Sequence, residues 1–504
     1  MTACAPGIKI MRVTGPRILL LRTTPPGARK RGFGPPPCFP PLGLLHVAAG
    51  LREALGPIHV RVMDAAVDLE REEDLDTVLE AERPEIVGLS GLTHEEPLVA
   101  RTARRARSWS ARASIVVGGP IASSDPIGLL ERIPGVDHSI VGEGDETFPD
   151  LVDAISRGRD RGSVRGIALR SGGRPVLTQR RPFVADLDAL PLVDWSETDL
   201  DAYGRLYNFN DLPVVSGRYA PMVTSRGCPF RCTYCHGHFG RRARGLDPAR
   251  IAEEMDRDVR RWGIREFHIS DDIFNFRKGR IESFCKEIRA RRLDVRLAFP
   301  NGIRGDRLTR HEVDALADAG CFALSLAVET VTKRFEQLLR KRLDLDHVFR
   351  AAEWASARGM VTRCFVMLGF PGETPEEMKA TIDRVTASAF DIVHIFTVAP
   401  NPGTDLHDLA VGMGFDPRRW YGADYDYDAC FVNASGLPDG TFRRIVDWAR
   451  LHPYRQPERQ ARLRDRYRTM GAPAHPLFLA GQHWKLALGE VLRRDLERTA
   501  QRQV

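Results

Sequence analysis

Three cysteines fall within eight residues of the run Ser225-Arg226-Gly227-Cys228-Pro229-Phe230-Arg231-Cys232-Thr233-Tyr234-Cys235. Thiolates spaced C-x₃-C-x₂-C can wrap a short loop around one face of a cubane iron–sulfur cluster. Such a cluster offers one more iron than this loop has thiolates, so one iron stays open to an outside ligand. Zinc is the rival, because a structural zinc site closes with a fourth ligand that His236 or His238 can supply. The remaining cysteines near this half of the chain, Cys285, Cys321, Cys364 and Cys430, sit in apolar or helical patterns and read as core thiols. Glu329 also stands out: it closes the apolar run Ala323 to Val328, where a carboxylate is costly unless it has a partner.

These residues need a scaffold that brings strand ends together. From Tyr219 to about Leu406 the sequence predicts six strands: Met222–Ser225, Phe267–Ser270, Arg296–Phe299, Ala323–Val328, Thr362–Leu368 and Ile392–Val398. Helical patterns separate them, which suits a partial (β/α)6 TIM-type barrel over residues 216–406. The unusual residues lie just beyond those strands: Ser270-Asp271-Asp272, Asn301-Gly302-Ile303-Arg304, Glu329-Thr330, Gly369-Phe370-Pro371-Gly372-Glu373-Thr374 and Asn401-Pro402-Gly403-Thr404. The bland readings are turns at Gly372 and Gly403, and a helix cap at Asp271.

Residues 1–150 alternate short β-branched runs (17–22, 58–63, 85–90, 114–118 and 138–142) with amphipathic stretches, the pattern of a doubly wound parallel sheet in an α/β fold. Ligands of such sheets sit beyond the carboxyl ends of the strands. There the sequence places Thr23-Thr24-Pro25-Pro26-Gly27, Ser90-Gly91-Leu92-Thr93, Gly118-Gly119-Pro120 and Gly142-Glu143-Gly144-Asp145. Residues 151–215 read as an extension and linker. Residues 407–504 read as a small, mostly helical C-terminal domain whose aromatics, Trp420-Tyr421 and Tyr425 to Tyr427, belong to the core or to a substrate wall.

Composition narrows the class. With 504 residues, 43% hydrophobic and 28% charged, wholesale disorder and a disulfide-stapled scaffold are excluded. A net charge of +7 is small for this length, and no contiguous basic stripe points to nucleic acid. The longest uncharged stretch, 32–51, is broken by five prolines, so no membrane span is expected. The start of the chain lacks the order of a signal peptide, which predicts a cytoplasmic protein with reduced thiols.

At the end of the first barrel strand, C-x₃-C-x-aromatic-C resembles the motif of the radical S-adenosylmethionine (SAM) enzymes. The resemblance implies a [4Fe-4S] cluster on Cys228, Cys232 and Cys235, with SAM chelating the open iron and splitting to a 5′-deoxyadenosyl radical. It implies SAM contacts from Tyr234 near the adenine, Asp271 and Asp272 after the second strand, Glu329 at the ribose, and Gly369, Gly372 and Glu373 after the fifth. Upstream, Ile86 to Thr93 is similar to the third strand and loop of Rossmann-like cobalamin-binding domains. That likeness implies cobalamin contacts from Ser90, Leu92, Thr93, Gly118, Gly119, Gly142, Glu143 and Gly144. With Pro40 to Leu45 and Asp186 to Pro191, the chain resembles the cobalamin-binding radical SAM family nearly end to end.

One departure concerns the loop after the first strand. Many cobalamin domains carry D-x-H-x-x-G there, whereas residues 23–32 hold no histidine and His46 falls in a predicted helix. Cobalamin is therefore expected without a histidine on cobalt. The family likeness implies a methyltransferase that moves a methyl group from methylcobalamin to an unactivated position of a specialised metabolite. A non-methylating cyclisation or rearrangement with the same cofactors is the alternative, and a cobalamin sensor would not need the cysteine loop. A methylthiotransferase needs three more cysteines upstream, and only Cys4 and Cys38 precede Cys228. The implied partners are a small-molecule or peptide substrate and an electron donor such as flavodoxin or ferredoxin.

Overall fold

Strands that read as unbroken apolar runs form where both faces of a sheet are covered, and the first unit is built that way. In the computed structural model, which describes residues 15–27, 39–206, 212, 214–416 and 432–471, the chain divides into two compact units. The first is mainly Pro41–Val184 with Leu190–Thr198, and the second runs on from Asp199.

The first unit holds β1 (Ile18–Arg22), α1 (Leu42–Leu55), β2 (Val60–Asp64), β3 (Ile86–Ser90), α2 (Glu96–Trp109), β4 (Ser114–Gly118), β5 (His138–Ile140) and α3 (Gly144–Ser156). The strands β2, β1, β3, β4 and β5 pair in parallel in that order, and every residue of β1 is buried. Leu19, Leu21, Val87, Leu89, Ile115 and Val117 pack on the helix α2 residues Val99, Ala103 and Ala106. His46 lies inside α1, as expected. The segment read as an extension adds two antiparallel edge strands, β6 (Ile167–Ser171) and β7 (Arg174–Leu177). Gly172 and Gly173 join them at φ +57° and +80°, a two-residue turn that glycine favours.

The second unit contains β8 (Ala220–Met222), β9 (Ser225–Arg226), β10 (Arg244–Gly245), α4 (Pro248–Trp262), β11 (Glu266–Ile269), α5 (Arg280–Ala290), β12 (Arg296–Ile303), α6 (Arg310–Asp318), β13 (Cys321–Glu329), α7 (Leu345–Ala357), β14 (Val361–Leu368), α8 (Pro375–Thr386) and β15 (Ile392–Thr397). Six strands from β8 through β11 to β15 pair in parallel and in chain order, the partial barrel expected. The first expected strand divides in two: β8 joins the barrel sheet, while β9 turns away to pair antiparallel with β10.

Two principal helices follow, α9 (Asp439–Leu451) and α10 (Pro457–Thr469). Helix α10 is fixed at the amino ends of the strands. Its Arg462 and Arg466 meet the buried Asp391, just before β15, at 2.7 and 2.8 Å. Its Arg459 donates to the last carbonyls of α8, Val385 and Thr386, at 2.9 and 2.7 Å. Trp420, Tyr421, Tyr425, Tyr427 and Cys430 lie outside the described residues. Among the described residues no helix is long and apolar enough to cross a membrane.

Candidate functional site

The cysteine loop hangs from the two-residue β9–β10 ladder, in which Ser225 faces Gly245 and Arg226 faces Arg244. Gly227 opens it at φ +83°, where a Cβ would stand 2.6 Å from the Arg242 carbonyl oxygen and 2.9 Å from that of Phe239. Only glycine fits this turn. The Gly227 amide donates to the Asp272 carboxylate at 3.0 Å, and the Cys228 amide to Gly240 O at 3.2 Å. Arg241 staples the loop across its width, donating to Phe230 O at 2.8 Å and Cys235 O at 3.3 Å.

Asp271 braces the root of the loop. Its buried carboxylate accepts from the Thr224 amide at 2.5 Å, Thr224 Oγ1 at 2.7 Å and Ser225 Oγ at 2.6 Å, so both oxygens are engaged by the strand that precedes the loop. Arg280 completes this brace by donating to the Thr224 carbonyl at 3.1 Å.

Burial raises all three loop thiols, Cys235 to about 11, and neighbouring negative charge pushes Cys235 further. Such a set is stable as thiolates only around a cationic centre. His236 and His238 stack on each other at 4.7 Å, their planes 16° apart. The donor set fits a broad multi-iron core better than one tetrahedral zinc.

Glu329 has the partner that its burial requires. It ends β13 at φ +65°, a left-handed position that non-glycine residues seldom take. Tyr234 Oη donates to Glu329 Oε1 at 2.8 Å, and Lys341 Nζ donates to both that oxygen and Tyr234 Oη, the latter at 2.9 Å. Glu329 Oε2 makes no hydrogen bond among the described residues, which leaves an acceptor for a ligand hydroxyl. Burial and then the Glu329 charge hold the Tyr234 phenol well above its usual range, so it stays a donor. The sequence reading missed Lys341, which sits between Arg340 and Arg342 and looks like part of a solvated basic run.

After β14, Glu373 folds back on its own loop. Its Oε2 accepts from the Gly369 and Phe370 amides at 2.6 and 3.1 Å, while the buried Oε1 has no partner among the described residues. Burial pushes this carboxyl up to about 7. Gly369 holds φ +93° beneath the Phe442 ring of α9, which a Cβ would meet at 2.4 Å. The Gly372 amide donates to Ser435 O at 3.1 Å.

The carboxyl edge of the first unit is armed with backbone and hydroxyl groups instead. Ser90 and Gly118 end adjacent strands in register. At Gly119, φ +85°, a Cβ would stand 3.0 Å from Ser90 Oγ and 3.3 Å from Gly91 O. The Ser90 hydroxyl, which makes no hydrogen bond among the described residues, is thereby kept uncovered. Thr93 Oγ1 lies 3.4 Å from Ser124 Oγ, and the Leu92 amide donates to the buried Glu95 at 2.6 Å. The Gly142 amide donates to Ser123 Oγ at 3.0 Å. Glu143 accepts from the Val184 amide at 2.6 Å, bracing the end of the unit, and Gly144 begins α3. Glycine cradles and free hydroxyls suit the polar tail of a nucleotide-like cofactor. The part of the first loop at 28–38 lies outside the described residues.

Known proteins carry the same two parts. The radical SAM superfamily model matches residues 222–385 and the B12 binding domain model matches residues 35–152. The hopanoid C-3 methylase of Methylococcus capsulatus is 31% identical over 372 residues, covering 72% of this chain and 67% of the methylase. The anaerobic magnesium-protoporphyrin IX monomethyl ester cyclase of Synechocystis is 29% identical over 445 residues, covering 86% of this chain and 84% of the cyclase. The fold is shared with the radical SAM methyltransferase TsrM of Kitasatospora setae, solved with cobalamin and a [4Fe-4S] cluster bound. That likeness has a TM-score of 0.64 at 20% identity, over 84% of this chain and 81% of that one. The two matched domains, with a relative 31% identical over most of this sequence, show that the chain belongs to the cobalamin-binding branch of the radical SAM superfamily.

Proposed function

We propose that this enzyme methylates an unactivated carbon of a specialised metabolite. The observation that carries the reading is the presence, in one chain, of a three-thiol loop fit for a cluster and a glycine-cradled sheet edge fit for cobalamin. Cys228, Cys232 and Cys235 would hold the [4Fe-4S] cluster. Tyr234, Asp271, Asp272, Glu329, Gly369, Gly372 and Glu373 would hold SAM. Ser90, Leu92, Thr93, Gly118, Gly119, Gly142, Glu143 and Gly144 would hold cobalamin. When bound, these groups supply one-electron cleavage of a sulfonium and a carrier for the methyl group.

The chain's own residues bind and orient. Lys341 and Tyr234 fix one oxygen of Glu329 and aim the other at a ligand hydroxyl. The amides of Gly369 and Phe370 pin Glu373, which keeps the strand-end loop in one shape and leaves its second oxygen for a ligand. Asp271, Thr224 and Arg280 hold the root of the cysteine loop still. The protein's part is positioning, in a reducing cytoplasm with a small one-electron donor such as flavodoxin or ferredoxin.

The test is anaerobic reconstitution, with iron, sulfide and cobalt analysis and then product mass. Methylation predicts a gain of one CH₂ in the product, with both S-adenosylhomocysteine and 5′-deoxyadenosine formed. The likeness to the cyclase favours one second reading, a ring-forming reaction. It would give 5′-deoxyadenosine without the mass gain.

A further inference from the structure

One buried arginine touches both the cysteine loop and the segment that carries Lys341. Arg304, 8% exposed, follows β12. Its guanidinium carbon lies 4.0 Å from the centre of the Phe230 ring, and Phe230 stands between Cys228 and Cys232. Its edges are engaged as well. Nε donates to Asp306 at 2.8 Å, one terminal nitrogen to Lys341 O at 2.9 Å, and the other to Asp306 at 2.5 Å and Arg342 O at 3.1 Å. Asn275 fixes the Arg304 backbone from both sides, accepting from its amide at 3.0 Å and donating to its carbonyl at 2.9 Å.

The carbonyls it holds belong to an unusual turn, since Arg340 and Arg342 both take positive φ, +51° and +52°. That turn presents Lys341 Nζ to Glu329 and Tyr234. A planar fork that stacks through its face while it bonds through its edges is specific to arginine; lysine reproduces the charge but neither contact.

We propose that Arg304 is a positioning residue that locks the cysteine loop to the Tyr234–Glu329–Lys341 group, and that its charge keeps a cluster on the loop easier to reduce. The inference rests on the cluster assignment above. A cation beside the cluster stabilises the extra electron that reduction adds, so removing it shifts the midpoint to more negative potential.

The experiment compares reconstituted wild type, R304K and R304Q by iron and sulfide content and by EPR-monitored redox titration, with and without SAM. R304Q is expected to titrate at more negative potential, and R304K closer to wild type. Both are expected to show an altered EPR line shape with SAM, because the fork is lost in both. An R304Q protein with wild-type iron, midpoint and line shape overturns the proposal. Should R304Q take up no iron, F230L decides, since it keeps the charge and removes the ring. A changed line shape at a near-wild-type midpoint supports the lock, and an unchanged line shape overturns it. A C232S protein that still holds a full complement of iron would instead sink the cluster assignment itself, a failure distinct from that of Arg304.

Discussion

Both sheets place their candidate ligand-binding residues at the carboxyl ends of parallel strands, yet the two edges are armed differently. The second unit presents thiols and charged side chains: Cys228, Cys232, Cys235, Glu329 and Lys341. The first presents glycine backbone and small hydroxyls: Ser90, Thr93, Gly118, Gly119 and Gly142. An edge of the first kind recognises by charge and by metal affinity. An edge of the second kind recognises by shape, because what matters is where side chains are missing. The two should therefore break in different ways. Added bulk should disable the first unit, and loss of a charge or thiol should disable the second.

The largest effect that separates them is expected from G119V. A β-branched residue at φ +85° is strained by roughly 1–3 kcal/mol, and its Cβ would press on Ser90 Oγ from 3.0 Å. Cobalt content after reconstitution should fall to near zero while iron and sulfide on the second unit stay at wild-type levels. Loss of iron in step with cobalt would show that the two edges do not form independently, and the contrast would fail.

The contrast also explains what the sequence made legible. The cysteine loop announces itself because its ligands are local, and the glycine-rich strand ends do so because glycine marks unusual backbone. Lys341 was invisible as a functional residue, and Arg304 was legible only as the end of a strand-end run, because their partners come from distant segments. Glu329 is 12 residues from Lys341, but Tyr234 is 107 away, and nothing in the R-K-R run distinguishes the lysine. Asp271 and Asp272 are adjacent, and only the tertiary structure shows that the first turns inward to Thr224 while the second reaches the Gly227 amide. The β6–β7 hairpin was missed despite its Gly172-Gly173 turn, since β7 is largely exposed and carries little apolar pattern. Strands β13 and β14 were legible because each is a long buried run between helical patterns.

One device is shared by the two units. A buried carboxylate accepts from a backbone amide of a strand-end loop in each: Glu373 in the second, Glu95 in the first. Burial raises the Glu373 carboxyl from 4.5 to about 7. Between those values the folded chain keeps a proton that the unfolded chain has released, so stability falls as pH rises through this window. The whole fall amounts to about 3 kcal/mol. E373Q keeps an oxygen for the Gly369 and Phe370 amides and has no proton to lose. Thermal melting from pH 4.5 to 8 should show wild type losing stability relative to E373Q up to about pH 7 and running parallel above it. A wild-type profile parallel to E373Q throughout would mean that Glu373 is ionised in the fold, and its role as a buried neutral brace would be wrong.

The same substitution in the first unit should do less and stop sooner. Burial raises Glu95 from 4.5 to about 6, with the Arg22 charge and the Leu92 amide opposing it and Asp64 reinforcing it. The window therefore closes near pH 6, and the stability lost across it is roughly 2 kcal/mol. Arg22 makes the difference, since for Glu373 the Gly369 and Phe370 amides come first and the Arg334 charge, which follows that of Glu377, comes last among the effects on its charge. E95Q should remove about half of the slope between pH 4.5 and 6, leaving Glu373 to carry the rest and the region from 6 to 7. Melting of the double variant E95Q/E373Q would then be nearly level from pH 4.5 to 7 as far as these two groups are concerned. If E95Q alone flattened the profile up to pH 7, Arg22 would not be tempering the burial of Glu95. The two edges would then differ in their ligand groups but not in the electrostatics that support them.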